Sequence, residues 1–363
     1  MRADGVLELA LVDVEVPEPA HDEVVLRVEA APIHPSSLGL LLGAADPQTA
    51  RRTEDGADGR LLLDVPAEVR AAVAGRVGMS LPAGNEGAGV VVAAGASVEA
   101  KALLGRTVAV AGGAMYSQFH TAKVAACLVL PDNVTPAQGA GSYVNPMTVL
   151  GMVGTMRLDH ATALVHTAAA SNLGQMLVRH CLAEDVPLVN VVRRPEQVEL
   201  LRGMGAAHVC DSSSPDFRAA LFEALVATNA TVAFDAVGGG LTATLLGAME
   251  AVLSRSTTGV PGYGSSVVKR SYVYGALDRS PIVLPRNVGM AWSVSGWLLG
   301  AYLDRVGPEE TRRMRERVAA EITTTFATSY AAELSLDEVL TPEAIAAYSR
   351  LATDEKYLVN PNK

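Results

Sequence analysis

The chain has 363 residues, of which 49% are hydrophobic, 19% are charged and only 4% are aromatic. This composition is typical of a globular protein with a core of Val, Leu and Ala, and the length exceeds the about 250–300 residues at which one core usually divides into two. The formal charge of −10 argues against a surface that binds nucleic acid or anionic membranes. The three cysteines are too few and too scattered for a disulfide framework.

The N-terminus carries Asp4, Glu8 and Asp13, which interrupt the apolar run that a secretory signal requires. Asn287–Leu303 is the nearest approach to a membrane span, but its Gly, Ser and Asn residues favour a buried or interface element. We therefore expect a cytoplasmic protein with reduced thiols that binds neither nucleic acid nor membranes.

Up to about residue 125, short β-rich runs alternate with Gly and Pro, a pattern typical of a mainly antiparallel, barrel-like unit. The predicted strands are Glu23–Ala30, Ala88–Ala94, Arg106–Val110 and, just beyond, Leu128–Leu130. The polar stretch Asp46–Ala72 is interpreted as an irregular loop with one helix.

After Pro131, apolar runs of strand length alternate with amphipathic runs of helix length. Such alternation builds a parallel sheet with helices on both faces. The predicted strand and helix pairs are Ala163–His166 with Asn172–Ala183, Leu188–Val192 with Pro195–Met204, Ala207–Cys210 with Pro215–Ala227, and Val232–Ala236 with Leu241–Val252.

The C-terminal part is less regular from about Arg286 onward. Pro308–Glu321 has the pattern of a charged surface helix, and Thr341-Pro342 is a typical helix start. Lys356–Asn360 is predicted to be a short closing strand. The Gly- and Ser-containing stretch Ser254–Arg270 is interpreted as an insertion that forms a mobile loop.

The strand at Ala163 runs through Ala168-Ala-Ala-Ser-Asn-Leu-Gly174 into a helix. Small residues let the backbone approach a pyrophosphate, and the free amides of the helix start stabilise its charge. Only Gly174 matches the glycine-rich dinucleotide fingerprint, so an ordinary strand–helix connection is the alternative.

Arg193 and Arg194 follow directly after the next predicted strand, about twenty residues beyond that loop. An enzyme that binds NAD usually has Asp or Glu here to bind the ribose hydroxyls, whereas arginine suits a 2′-phosphate. The pair therefore favours NADPH, with two arginines that merely end a surface strand as the alternative.

Two further predicted strands end at small residues. These are the glycines after Phe234-Asp-Ala-Val237 and the segment Tyr274–Leu277. They indicate either an edge that binds a dinucleotide or ordinary turns.

Several sequence motifs, taken in their order along the chain, resemble those of the medium-chain dehydrogenase/reductase family. The resemblance is to its quinone oxidoreductase and enoyl-thioester reductase branch. The motifs are Ala31-Pro-Ile-His-Pro-Ser-Ser37, Gly84-Asn-Glu-Gly87, Asn145-Pro-Met-Thr148, Ala168–Gln175, Asn190-Val-Val-Arg193 and Asp235-Ala-Val-Gly-Gly239. The resemblance implies a Rossmann doubly wound parallel sheet at 126–304 that binds NADPH. It also implies a GroES-like, mainly antiparallel β-barrel catalytic domain from 1–125 and 305–363, and a homodimer.

When the family's cofactor-binding positions are carried over one at a time, the resemblance implies the following contacts. Thr148 would lie near the nicotinamide, the 2′-phosphate would meet Arg193 and Arg194, and Lys356 would contact the cofactor in a role that is left open. The pyrophosphate would be held by Ala170, Ser171, Asn172, Leu173 and Gly174, and the nicotinamide would be flanked by Val237, Gly238, Ala276 and Leu277.

Zinc enzymes of the same superfamily use Cys in the first motif and Gly-His-Glu in the second. Here Ser36, Ser37 and Asn85 occupy these positions, so no catalytic zinc is expected. Without a Lewis acid, reduction of a conjugated double bond or a quinone is the expected chemistry, because the enolate that forms needs only hydrogen-bond donors and a proton.

The proton donor cannot be assigned by resemblance, because the tyrosine that many relatives carry after the first motif is absent from Leu38–Asp46. His34, Tyr116, Tyr143 and solvent remain as candidates, of which His34 and Tyr143 are the predicted catalytic residues. Alternatively, His34 is a structural histidine. Trp292 is interpreted mainly as a core or subunit contact, and Trp297 as a residue that contacts substrate or nicotinamide.

Three functions follow as hypotheses. The first is an NADPH-dependent oxidoreductase that reduces a small quinone or α,β-unsaturated carbonyl compound. The second is an enoyl-thioester reductase for CoA or acyl-carrier substrates, and the third is a non-enzymatic NADPH-binding protein.

Overall fold

The computed structural model describes residues 1–53, 59–256, 263–350, 352–353 and 355–363. The chain forms two compact units, of which the first comprises Met1–Val144 and Arg315–Lys363 and the second Asn145–Met314. Both boundaries lie later in the chain than the predicted ones at 125 and 304. The segment beyond residue 125 stays with the first unit because its strand Leu128–Val129 pairs with Thr107–Ala111.

The helices and strands are numbered in chain order. The first part contains β1 (Val6–Leu9), β2 (Glu23–Pro32), α1 (Pro35–Leu41), β3 (Arg51–Arg52), β4 (Leu61–Asp64), β5 (Glu86–Ala94), α2 (Val98–Ala102), β6 (Thr107–Ala111), β7 (Phe119–Lys123), β8 (Leu128–Val129) and α3 (Pro136–Gly139). The middle part contains α4 (Val144–Leu158), β9 (Leu164–Thr167), α5 (Asn172–Ala183), β10 (Leu188–Val192), α6 (Pro195–Gly203), β11 (His208–Asp211), α7 (Phe217–Thr228), β12 (Val232–Asp235), α8 (Gly239–Ser256), β13 (Lys269–Val273) and β14 (Trp292–Gly296). The last part contains α9 (Leu299–Glu321), β15 (Ala332–Leu334), α10 (Leu336–Val339), α11 (Pro342–Ser349) and β16 (Tyr357–Val359).

The first unit is built around a sheet in which β2 pairs with β5, β7 and β16. All three pairings of β2 are antiparallel, as the sequence predicts. Val24, Leu26 and Val28 alternate along β2 and are fully buried, so they anchor the core of this unit. The C-terminal strand β16 pairs with the end of β2, which places Lys356 beside the strand that leads to His34.

One prediction in the first unit is wrong. The stretch Asp46–Ala72 does not form an α-helix in its described residues but contributes β3 and β4, with short 3₁₀ turns around them. Leu61 and Leu63 are fully buried while Leu62 and Asp64 are partly exposed, which is the alternation of a strand. Charged neighbours in the sequence hide this short apolar signal.

The second unit contains one parallel sheet, with the strand order β11-β10-β9-β12-β13-β14 in the described residues. This is the order of a Rossmann fold, and the direction of winding reverses between β9 and β12. The predicted fold class is confirmed. Ligands of such sheets bind at the carboxyl ends of the strands beside this reversal point.

The stretch from Asn287 to Leu303 contributes the edge strand β14, and the Trp292 side chain there is 39% exposed. The segment interpreted as an insertion, Ser254–Arg270, includes residues 257–262, which lie outside the described residues. The predicted helix start at Thr341 is confirmed, because its hydroxyl accepts a hydrogen bond from the backbone N–H of Ala344 at 3.2 Å. Within the described part of the chain, no helix has the length and apolar character needed to cross a membrane.

Candidate cofactor and active site

Most of the predicted cofactor residues lie at one edge of the second unit, where the parallel strands end. The loop Ala168–Gly174 follows β9, Arg193 and Arg194 follow β10, and Val237 and Gly238 follow β12. Ala276 and Leu277 follow β13. The fold therefore brings together segments that are far apart in sequence, at the edge where such sheets bind nucleotides.

The loop after β9 is held in a tight turn. Ala168 has a positive φ of 51°, and the backbone N–H of Ala169 donates to the Val191 carbonyl at 3.2 Å. The Ser171 hydroxyl caps α5 by accepting a hydrogen bond from the N–H of Gly174 at 3.2 Å. A Cβ on Gly174 would lie 2.1 Å from the Ala169 carbonyl oxygen, so only glycine permits this approach of helix and loop.

The segment that begins α4 is tied to this loop. The Asn145 side-chain amide donates to the Asn172 side-chain oxygen at 2.9 Å, and both residues belong to the second unit. Thr148, one turn further along α4, is 7% exposed. The hydrogen bond fixes the predicted nicotinamide segment relative to the predicted pyrophosphate loop.

Asp235, at the end of β12, organises the neighbouring turn. Its buried carboxylate accepts hydrogen bonds from the Thr167 hydroxyl at 2.8 Å and the Thr242 hydroxyl at 2.6 Å. It also accepts from the backbone N–H groups of Val237 at 2.9 Å and Gly238 at 3.1 Å. The sequence motif includes Asp235, but only the structure shows that its carboxylate shapes the turn and joins the ends of β9 and β12.

The segment after β13 lies directly against that turn. The backbone N–H of Leu277 donates to the Ala236 carbonyl at 3.1 Å, and the N–H of Asp278 donates to the Val237 carbonyl at 2.8 Å. The two segments predicted to flank the nicotinamide are therefore neighbours. Trp297 donates its indole N–H to the Thr155 hydroxyl at 3.0 Å and packs edge-on against Phe234, so this tryptophan has a packing role within the second unit.

The side chains of Arg193 and Arg194 are exposed at the carboxyl end of β10. Among the described residues, no carboxylate pairs with either guanidinium group, although several other arginines of the chain form such pairs. Two unpaired cations at this position fit a phosphate ligand better than a ribose hydroxyl pair.

His166 is fully buried in β9, and its Nε2 lies 2.7 Å from the Tyr274 hydroxyl. Burial lowers the pKa of His166 to about 4, although the charge of Asp235 acts in the opposite direction. The folded protein therefore keeps this ring neutral at pH values where the unfolded chain would protonate it.

We expect stability to fall as the pH drops below about 6.5, because the unfolded state then binds more protons than the folded state. Each such histidine contributes about 1.4 kcal/mol per pH unit until its folded pKa is reached. Urea unfolding at pH 7 and pH 5 measures this slope. His166→Asn should reduce the slope. Burial also lowers the pKa of His34 and His120, so part of the slope should persist.

In the first unit, His34 and Glu86 form a buried pair. The His34 Nε2 lies 2.5 Å from one carboxylate oxygen of Glu86, and the side chains are 2% and 1% exposed. The other oxygen accepts hydrogen bonds from the backbone N–H groups of Tyr143 at 2.7 Å and Val144 at 3.0 Å. Burial alone would raise the pKa of Glu86, but His34, Lys356 and the hydrogen bond from the Val144 N–H lower it overall.

The candidate proton donors differ in their hydrogen bonds and in the causes that shift their pKa. Burial lowers the pKa of His34, and the positive charge of Lys356 lowers it further, so the ring is held in its neutral form by its surroundings. Tyr116 already donates its hydroxyl to the Pro32 carbonyl at 3.1 Å, and burial raises its pKa. Tyr143 is half-buried, and burial raises its pKa as well.

The positions at which the resemblance places the zinc ligands of alcohol dehydrogenases contain a hydrogen-bonded neutral pair. The Asn85 amide donates to the Ser36 hydroxyl at 3.1 Å. Neutral amide and hydroxyl groups are poor zinc ligands compared with thiolate and imidazole. Among the described residues, no group of three or more His, Cys, Asp or Glu side chains is arranged to hold a metal ion.

The comparisons agree with this architecture. A Mesorhizobium loti protein assigned as an NADPH:quinone reductase matches with a TM-score of 0.71 and 27% identity, covering 95% of this chain and 89% of that one. The Escherichia coli quinone oxidoreductase, solved with NADPH, matches with a TM-score of 0.69 and 18% identity, covering 97% of this chain and 95% of that one. Over nearly its whole length the chain is therefore similar in fold to these quinone oxidoreductases.

A third relative is similar in sequence. The mitochondrial enoyl-[acyl-carrier-protein] reductase of Xenopus tropicalis is 25% identical over 329 residues, which is 86% of this chain and 78% of that protein. No family model matches the chain. By name, these relatives therefore divide between quinone reductases and an enoyl reductase.

Proposed function

We propose that the protein binds NADPH at the carboxyl edge of the second unit and reduces a quinone or an α,β-unsaturated carbonyl compound without zinc. The cofactor part of this proposal rests on Arg193 and Arg194 at the end of β10, which are exposed and have no carboxylate partner among the described residues. The Escherichia coli relative, which was solved with NADPH, supports it.

The residues of the site suit a dinucleotide phosphate group. The helix start after Ser171 presents backbone amides beside small residues, and Gly174 lets α5 pack closely behind them. Arg193 and Arg194 would hold the 2′-phosphate, while Val237, Gly238, Ala276 and Leu277 would line the nicotinamide side. Bound NADPH supplies a hydride to the substrate.

The remaining chemistry belongs to the chain itself. Reduction of a conjugated carbonyl compound places negative charge on its oxygen, which polar groups of a buried site stabilise better than water does. Without zinc, hydrogen-bond donors must perform this task. Ser36 and Asn85 provide none of the charge that a metal would provide.

An enoyl-thioester substrate is the second candidate, and the Xenopus tropicalis relative favours it. Such a substrate carries a phosphopantetheine or CoA phosphate, which usually requires positive charge along its path. The formal charge of −10 gives this chain no general excess of positive charge. A homodimer, which the resemblance implies, remains a prediction.

Removal of the two arginines tests the cofactor assignment. We expect Arg193→Ala/Arg194→Ala to weaken NADPH binding about 100-fold or more, because each of the two hydrogen bonds to a charged group contributes about 1.5–3 kcal/mol. NADH binding should change little. Isothermal titration with both nucleotides measures the two affinities.

Arg202→Ala/Arg218→Ala makes the same change in net charge at exposed positions of the second unit and serves as the control. Equal binding of NADPH and NADH by the unaltered protein would contradict the assignment. So would an unchanged preference in the Arg193→Ala/Arg194→Ala variant. A screen on a naphthoquinone and crotonyl-CoA then separates the two substrate classes, and tight NADPH binding with no turnover would indicate a non-enzymatic protein.

A further inference from the structure

A buried histidine of the second unit makes a hydrogen bond through one of its two ring nitrogens. His166 is fully buried in β9, where it follows Leu164 and Val165, and its Nε2 lies 2.7 Å from the Tyr274 hydroxyl. The other ring nitrogen, Nδ1, has no hydrogen-bond partner among the described residues. Burying a polar ring costs free energy unless its nitrogens are hydrogen-bonded, so another apolar residue would suit the interior of this strand better. The stability of the sheet therefore does not explain the histidine.

The hydrogen bond to Tyr274 joins two strands that are not neighbours. His166 belongs to β9 and Tyr274 follows the last residue of β13, while β12 lies between these strands in the sheet. The two rings stack, with centroids 5.9 Å apart and an angle of 16° between their planes. The tyrosine side chain therefore reaches across the end of β12 and ties the carboxyl end of β13 to the centre of the sheet.

Both groups of this pair are uncharged near neutral pH. Burial raises the pKa of the Tyr274 hydroxyl, and the negative charge of Asp235 acts in the same direction. Burial lowers the pKa of His166 to about 4. The pair is therefore a phenol and a neutral imidazole, and the hydrogen bond between them leaves no charge to be compensated.

Tyr274 begins the segment that is predicted to flank the nicotinamide. Its backbone N–H donates to the Asp235 carbonyl at 3.0 Å. A Cβ on the next residue, Gly275, would lie 2.7 Å from the Ala236 carbonyl oxygen, so residues 275–277 begin in close contact with the turn after β12. Beyond the glycine this segment is exposed, so the Tyr274 side chain is its anchor in the interior.

We propose that the hydrogen bond between His166 and Tyr274 sets the position of residues 275–277 and thereby the fit of the nicotinamide half of NADPH. This inference rests on the proposed function, which places the nicotinamide beside this segment. His166 and Tyr274 are positioning residues, because they act through the segment and not on the reacting atoms. A hydrogen bond between buried groups selects one arrangement among those that apolar packing alone permits. Loss of the bond should loosen the nicotinamide subsite and leave the phosphate subsites intact.

Two ligands separate the two halves of the cofactor site. NADPH carries the nicotinamide, whereas adenosine 2′,5′-bisphosphate has the adenine and the 2′-phosphate but no nicotinamide. We expect Tyr274→Phe to weaken NADPH binding about 5-fold, the usual contribution of one neutral hydrogen bond, and to leave binding of adenosine 2′,5′-bisphosphate unchanged. Isothermal titration measures both affinities. The fluorescence of bound NADPH, which comes from the reduced nicotinamide, should shift towards that of the free nucleotide.

Tyr272→Phe is the matched control. Tyr272 lies two residues earlier, in β13, and its hydroxyl donates to the Asp159 carboxylate at 2.6 Å. The substitution therefore removes one hydroxyl and one hydrogen bond from the same strand and leaves the His166 contact in place. It should lower the thermal unfolding temperature but leave both affinities and the fluorescence of bound NADPH unchanged.

Changes at the histidine test the same hydrogen bond from its other side. His166→Leu removes the partner of Tyr274 and should weaken NADPH binding as Tyr274→Phe does, whereas His166→Gln keeps a polar group near the position of Nε2 and should restore part of the affinity. Two substitutions that break one bond are not additive, so His166→Leu/Tyr274→Phe should bind NADPH about as weakly as either single variant. Thermal unfolding shows which variants fold, and the comparison of His166→Leu with His166→Gln keeps the test decisive if Tyr274→Phe is unstable.

The outcomes distinguish this inference from the proposed function. If the unaltered protein binds NADPH, and a folded Tyr274→Phe variant keeps its NADPH affinity and fluorescence, the inference is wrong and the proposed function stands. Equal weakening of NADPH and adenosine 2′,5′-bisphosphate would also overturn the inference, because the change would then not be confined to the nicotinamide half. If the unaltered protein does not bind NADPH, the proposed function fails and the inference fails with it.

Discussion

Gly174→Ala is expected to weaken NADPH binding strongly. The added Cβ would lie 2.1 Å from the Ala169 carbonyl oxygen and 2.5 Å from its carbonyl carbon, so backbone atoms rather than a flexible side chain must move. The shift would carry the start of α5 away from the loop that presents the phosphate-binding amides. We expect the dissociation constant for NADPH to rise about 100-fold or more, equivalent to about 2.7 kcal/mol.

The same substitution should also destabilise the second unit, by about 1–3 kcal/mol for overpacking at a close contact. Gly203→Ala is the matched control, since it lies in α6 and its Cβ would meet no atom within 4 Å. Titration calorimetry and urea unfolding report the two effects separately. Normal NADPH affinity in a folded Gly174→Ala protein would contradict the role assigned to this loop.

Glu86→Ala should have the largest effect on stability in the first unit. The carboxylate is buried and accepts from His34 and from the N–H groups of Tyr143 and Val144. Its removal leaves these donors without an acceptor and leaves the Lys356 charge uncompensated. Breaking a buried ionic cluster in this way costs about 3–5 kcal/mol.

Glu86→Gln keeps the size of the side chain and one acceptor oxygen, so its loss should be smaller than that of Glu86→Ala. Glu18→Ala, at an exposed position outside the strands and helices, is the control for removal of a negative charge. Urea unfolding at neutral pH measures all three. A loss below about 1 kcal/mol for Glu86→Ala, the range of exposed ion pairs, would show that the cluster does not stabilise this unit.

The parallel sheet was predictable because its strands are short, continuous apolar runs separated by helix-length segments. β10 has the predicted bounds, and β9 and β12 each lie within one residue of theirs. The strand β4 was not predictable in the same way, because two buried leucines in a charged context give too short a pattern. Local periodicity reports burial only where a segment is long enough to show a repeat.

The cofactor edge could also be outlined from sequence, since small residues, arginines and glycines each follow a strand end. The arrangement of the buried polar groups in the first unit could not be predicted from the sequence. His34 and Glu86 lie 52 residues apart in the sequence, and the antiparallel pairing of β2 with β5 brings them together. Convergence of donors from distant segments is a property of tertiary structure, which residue spacing does not encode.

The most direct test of the central claim is consumption of NADPH labelled with deuterium at C4, with a naphthoquinone and crotonyl-CoA offered in turn. The proposed function predicts one equivalent of reduced product per NADPH with at least one substrate, and deuterium at the β-carbon if the substrate is the enoyl thioester. It also predicts much slower consumption of NADH. Tight NADPH binding without NADPH consumption in the presence of either substrate would contradict the claim that the protein is a reductase.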